Sequence, residues 1–181
     1  MERTKNKKLL LVIDYQRDFV DGSLGFPEAV SIDGAIARKI REYRDAGDVV
    51  AFTYDTHTPD YLESQEGHHL PVTHCVQGTP GWELYGDTGT LLLPDDKVFI
   101  KPAFGSAELL DWLRQHPFSA IELCGVVTNI CVLSNAVIAK TAQPETPVFV
   151  DARCVAGNDP ALHEAALDIF GSIHVNVLHR A

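Results

Sequence analysis

The sequence predicts an α/β fold, a three-layer α/β/α arrangement around a mainly parallel, Rossmann-like central sheet. Short apolar runs recur along the chain (KLLLVI, VVAFTY, VFI, AIELC, PVFV and HVNVL). They are continuous rather than alternating, as strands covered on both faces are. Segments of helical periodicity separate them, the order that places parallel strands side by side through crossovers.

The first strand, KLLLVI, runs up to Asp14. In IDGAIARKIREYRDAG the apolar Ile32, Ala35, Ile36 and Ile40 alternate with Arg38, Lys39, Arg41 and Glu42, a helix with one buried face, and Gly47 is its stop. VVAFTY leads to Asp55 and His57. The stretch from Thr56 to Leu93, rich in Gly, Pro, His and Thr, reads as one long irregular segment, of a kind that is usually functional or disordered in a compact domain. VFI ends at Lys101, AELLDWLRQ is the next helix, and AIELCGVV precedes the apolar helical run NICVLSNAVIAK. After PVFV, Asp159 and Pro160 open the helix PALHEAALDIFG, with Pro in the first turn where its missing N–H costs nothing. HVNVL is the last strand.

A chain of 181 residues without repeat, low-complexity tract or linker is expected to form a single domain over 1–181, burying roughly 70% of the surface its unfolded form exposes. The net charge of −10 excludes nucleic acid and anionic membrane as partners, since phosphate binding needs clustered Lys and Arg. LLLVI after the basic MERTKNKK is too short for a signal core or a membrane span. The expected location is therefore the cytoplasm and the expected partner a small molecule. The four cysteines, Cys75, Cys124, Cys131 and Cys154, lack CxxC spacing and read as free thiols. GSLGFP after the first strand lacks the GxGxxG spacing of a dinucleotide site.

Ligands of open α/β sheets bind beyond the carboxyl ends of the strands. Asp14, Asp55 with His57, Lys101 and Cys131 follow four different predicted strands, so the fold would gather them in one crevice. Cys131 reads two ways. It is either one more small hydrophobe among Ile130, Val132, Leu133, Ala136 and Val137, or a nucleophile in the first turn of a helix capped by Thr128 or Asn129. There the unpaired N–H groups and the dipole favour a thiolate and can hold an oxyanion. Asp14 can cap a turn and Lys101 can be a solvated charge; together with Cys131 they make an acid/base, a cation and a thiol. Asp55, His57 and a His from the following loop are a donor set for divalent zinc, iron or manganese, or part of a His-rich surface loop without metal.

With GVVTNICV around the cysteine and DTH…HCVQGTPG between, Asp14, Lys101 and Cys131 resemble the cysteine-hydrolase (isochorismatase-like) superfamily, and most closely its nicotinamidase branch. The likeness runs from LLLVIDYQRDF to DARCVAGNDPALHEAALD. It implies the isochorismatase-like hydrolase fold, with Asp14 as proton shuttle, Lys101 as its charge partner and Cys131 as nucleophile. It also implies a cis peptide at Val126–Val127, with the N–H groups of Val127 and Cys131 as oxyanion hole. Asp55, His57 and His74 would be the ligands of a divalent metal, zinc above iron or manganese, with Glu66 as an extra ligand in preference to Glu63. Phe19 and Trp82 would line the substrate pocket, since LPVT stands before His74 where some nicotinamidases carry a Trp. The activity so implied is hydrolysis of nicotinamide to nicotinate and ammonia through a thioester, by a homo-oligomer. The alternatives are another small-amide or N-carbamoyl amidohydrolase of the superfamily, or a non-catalytic α/β small-molecule-binding protein.

Overall fold

The computed structural model describes residue 4 and residues 6–180; the remaining residues of the basic N-terminal stretch lie outside it. Six strands, β1 (Lys8–Ile13), β2 (Val49–Asp55), β3 (Lys97–Lys101), β4 (Ala120–Val126), β5 (Val148–Ala156) and β6 (Val175–Leu178), form one sheet in the order β3-β2-β1-β4-β5-β6. Every pairing is parallel, so the sheet is wholly rather than mainly parallel.

β1 shows why its sequence is continuously apolar. Leu9, Leu11 and Ile13 face one core cluster, Leu10 and Val12 the other, and all five are fully buried. The first cluster is completed by α6 (Ala107–Gln115), α7 (Leu133–Ala142) and α8 (Pro160–Ser172). The second is completed largely by α2 (Pro27–Ser31), α3 (Asp33–Asp45) and the short α1 (Arg17–Val20). These are the three layers.

Local chemistry sets the ends. α3 buries Ile36, Ala37 and Ile40 and stops at Gly47, whose φ of 74° lets Asp48 N–H return to Tyr43 O at 2.9 Å. Asp159 caps α8, its Oδ1 accepting from the N–H groups of Ala161 and Leu162 at 2.8 and 3.1 Å. At Gly125, φ is 111° and a Cβ would lie 2.1 Å from Ile13 O, so no other residue permits this approach of β4 to β1.

The segment after β2 is more ordered than its composition predicts. It holds α4 (Gln65–His69), α5 (Gly86–Thr90) and two single 3₁₀ turns. Elements of three to five residues are too short to leave a periodic signal, and α4 is fixed instead by the Ser64 hydroxyl accepting from Gly67 N–H at 3.0 Å. No helix among the described residues is long and apolar enough to cross a membrane.

Candidate active site

Between β1 and β4 the strand order reverses, which is the crevice where open α/β sheets bind ligands. The chain leaves β1 at Asp14 with φ 44°. Thr53 of β2 holds that residue twice: its hydroxyl donates to Asp14 Oδ1 at 2.6 Å and accepts from Asp14 N–H at 3.1 Å. Lys101, at the end of β3, places Nζ 2.6 Å from Asp14 Oδ2, 3.3 Å from Asp55 Oδ1 and 3.7 Å from Cys131 Sγ, and donates to Ala103 O at 2.9 Å. Three predicted side chains from distant parts of the chain thus meet inside the protein.

Burial governs their protonation. It pushes the Asp14 carboxyl above the ordinary range despite the adjacent ammonium. Burial and the Asp14 charge push the Cys131 thiol well up. For Lys101 burial works against the charge, but Asp14, Cys131 and Asp55 outweigh it and raise the ammonium's pKa. Burial thus favours the neutral thiol at Cys131, against the thiolate expected from a helix N-terminus alone. The Asp14 carboxyl, with its raised affinity for a proton, is the neighbouring group able to accept one.

The turn carrying Cys131 also departs from expectation. Neither Thr128 nor Asn129 caps it. Val127 is the N-cap, without a side-chain bond, and Thr128–Val132 is a π-helical turn that runs into α7. The Thr128 hydroxyl is engaged elsewhere, at 2.9 Å from His163 Nδ1. The peptide between Val126 and Val127 is cis.

Asp55, His57 and His74 bring one ligand atom each to within 4.8 Å of one another and are 4, 8 and 2% exposed. Burial opposes the Asp55 charge, yet hydrogen bonds from His57 and His74 and the Lys101 ammonium hold its carboxyl well below the usual range. His74 Nδ1 lies 2.7 Å from Val72 O, which turns Nε2 toward Asp55. One carboxylate and two imidazoles, buried and convergent, fit a divalent cation. Glu66 Oε1 is 3.8 Å from His74 Nε2, beside the trio.

A cavity of about 190 Å³ joins these groups. Cys131, Asp55, His74, Glu66 and Val127 share it with an apolar wall that includes Phe19, Phe26 and Phe104. Trp82 lies outside it, packed at a tilt against Tyr54 with ring centroids 4.9 Å apart and donating from Nε1 to Thr56 Oγ1 at 2.8 Å. Trp82, expected to line the pocket where no aromatic residue stands ahead of His74, instead has its indole occupied in bracing the end of β2. Gln16 escaped the sequence reading. Fully buried, it accepts from Asp55 N–H at 2.8 Å and donates to the carbonyls of Asp55 and Trp82, both at 2.9 Å. Its position two residues after Asp14, on the same strand end, was the available signal.

The isochorismatase domain family matches residues 8–178. A nicotinamidase/pyrazinamidase of Mycobacterium tuberculosis is 31% identical over 166 residues, spanning 80% of this chain and 84% of that protein. The crystal structure of a pyrazinamidase of Pyrococcus horikoshii in complex with zinc superposes with a TM-score of 0.83 at 29% identity, covering 96% of this chain and 99% of that one. An N-carbamoylsarcosine amidase of Thermoplasma acidophilum superposes with a TM-score of 0.79 at 26% identity, over 95% of each chain.

Proposed function

The chain belongs to the isochorismatase family and is a hydrolase acting on amide C–N bonds; from that premise we propose that it hydrolyses nicotinamide to nicotinate and ammonia through a thioester on Cys131. The observation that carries this reading is the placement of the Cys131 thiol in an aromatic-walled cavity, between a buried Asp14–Lys101 pair and an Asp-His-His set.

In the proposed reaction Asp14 takes the proton of Cys131 and the sulfur attacks the amide carbonyl. The N–H groups of Val127 and Cys131 hold the resulting oxyanion. Asp14 gives its proton to the departing amine as the C–N bond breaks, releasing ammonia and leaving the acyl group on Cys131. Water then adds to the thioester while Asp14 takes one of its protons. The C–S bond breaks, the acid leaves, and the proton returns to sulfur. Throughout, Lys101 offsets whichever of Asp14 and Cys131 carries negative charge. Asp55, His57 and His74, with Glu66 beside them, would hold a divalent cation, for which zinc is our choice. Bound there, such a cation supplies a Lewis acid at the cavity wall.

The aromatic wall and the absence of any Lys or Arg from the cavity lining among the described residues support an uncharged ring amide. An N-carbamoyl compound is the second reading. It is favoured by the likeness to the Thermoplasma amidase and by Leu70, which lines the cavity just ahead of His74 where no aromatic residue stands. The four free, buried thiols suit a reducing cytoplasm.

Ammonia release from nicotinamide, other primary amides and N-carbamoyl compounds tests the reading. Nicotinamide is expected to be the best substrate, and Cys131→Ala to be inactive while remaining folded. Comparable turnover by Cys131→Ala, or no release from any amide, would overturn it.

A further inference from the structure

The turn presenting Cys131 is held in an uncommon register by side chains that take no part in the proposed reaction. Val127 O accepts from Ile130 N–H at 3.0 Å and from Val132 N–H at 3.2 Å. It passes over Cys131, whose N–H is not bonded to Val127 O. A single π-turn of this kind is rare and is found mostly at functional sites. In an α-helical register the Cys131 N–H would instead be tied to Val127 O.

Two tethers flank the turn. On the carboxyl side Asn135 Nδ2 donates to Cys131 O at 2.8 Å and to Phe104 O at 3.0 Å, while its Oδ1 accepts from Ser106 N–H at 3.1 Å. On the amino side the fully buried Thr128 meets His163 of α8 through the 2.9 Å contact between Oγ1 and Nδ1. His163 lines none of the cavity that holds Cys131. It borders a separate one of about 230 Å³, with Glu28, Ser31, Gly157 and Pro160.

We propose that His163 is a positioning residue: its hydrogen bond to Thr128 holds Thr128–Val132 in the π register and so keeps the Cys131 N–H free to donate to the substrate oxyanion. This rests on the reading of Cys131 as nucleophile. Without the latch the turn relaxes to the α register and one oxyanion donor is lost. That donor acts on the transition state alone, whereas the walls that bind the ground state, such as Phe19 and Phe104, are unchanged.

The test is steady-state ammonia release by His163→Ala, His163→Gln and Thr128→Val. For His163→Ala and Thr128→Val kcat should fall by about ten- to a hundredfold, up to the lower bound for outright loss of an oxyanion donor, with KM and metal content unchanged. His163→Gln, whose amide can reach the hydroxyl, should keep most of the rate. Millimolar imidazole, entering the adjoining cavity, should rescue His163→Ala but not Thr128→Val. A crystal structure of either slow variant should show Cys131 N–H bonded to Val127 O. Unchanged kcat in both variants, or a kcat loss with the π register intact, would overturn the proposal. If His163→Ala does not fold, Thr128→Val and His163→Gln carry the test. Should the unaltered protein release no ammonia from any amide, the functional reading fails, and the register in the variant crystals still decides: α supports the latch, π overturns it.

Discussion

Lys101 Nζ lies 2.6 Å from Asp14 Oδ2, and the two side chains are 1 and 0% exposed. A pair so placed has given up its hydration, and its members are stable only together. Lys101→Met leaves Asp14 without its counter-charge and takes one of several partners from Asp55, and urea unfolding should show a loss of about 3–5 kcal/mol. Asp14→Asn combined with Lys101→Met removes much of that burden, so the double variant should be more stable than Lys101→Met alone while releasing no ammonia. A Lys101→Met protein as stable as the parent would show that the pair is solvated.

On the proposed reading, metal retention would depend on Asp55, His57 and His74, whose donor atoms converge within 4.8 Å. Competition against a chromophoric chelator should show zinc affinity falling in His74→Ala by at least about 10- to 100-fold, the cost of losing even an outer partner of a ligand. His68→Ala, on an exposed residue of the same loop, should keep its zinc. Treatment with EDTA should abolish ammonia release and added zinc restore it; full activity in the stripped protein would separate the cluster from the reaction.

The strands were legible because burial on both sides leaves no room for polar residues, as in LLLVI. Their ends pointed to Asp14, Asp55, His57, Lys101 and Cys131, because a charge at the end of an apolar run stands out. β5 is longer than its sequence predicts: PVFV reads as a short strand, yet pairing with β4 continues to Ala156 past Asp151 and Arg153, across a register shift. Those charges are satisfied by each other and by the distant Lys39, and the local pattern of charges does not reveal a strand. The same holds for the π-turn. Thr128 is a good cap by type, but His163, 35 residues on, claims its hydroxyl. Gln16 and Asn135 hold the site through backbone groups, which sequence does not display.

Phe19 forms part of the cavity wall and its ring centroid is 5.4 Å from that of His74, whereas Trp82 packs outside on Tyr54. An aromatic wall that stacks on a ring substrate contributes to binding before and during reaction alike. Phe19→Ala should therefore raise KM for nicotinamide by about tenfold, the equivalent of about 1.4 kcal/mol, with kcat changed less. Trp82→Phe loses one hydrogen bond, costing about 1 kcal/mol of stability, and should leave KM for nicotinamide as it is. A KM that moves with Trp82 and not with Phe19 would place the substrate elsewhere.

Away from the cavity, Asp151 supplies the clearest dependence of stability on pH. Its side chain is fully buried. Oδ1 accepts from Arg153 N–H at 3.0 Å and from Nε at 3.2 Å, and Oδ2 lies 3.0 Å from Lys39 Nζ. Burial opposes the charge, but the Arg153 bonds and the Lys39 ammonium outweigh it and hold the carboxyl well below its usual range. Lys39 also donates to Glu122 Oε1 at 2.6 Å; burial disfavours its charge, yet Glu122 and Asp151 keep its pKa above the ordinary value. A depressed folded-state pKa contributes stability that is present above the unfolded value, about 3.9 for Asp, and is lost as pH falls through the folded value. For Lys39 the sign is reversed: its contribution is complete below its unfolded value, about 10.4, and is lost only in stronger base. Asp151→Asn should accordingly lower stability at pH 7 by about 2 kcal/mol. The gap between variant and parent in urea midpoint should then narrow as pH is taken below about 4, because the unfolded parent binds a proton at Asp151 that its folded carboxylate does not. A gap that stays constant from pH 7 to pH 3 would mean that the amide loses packing rather than charge.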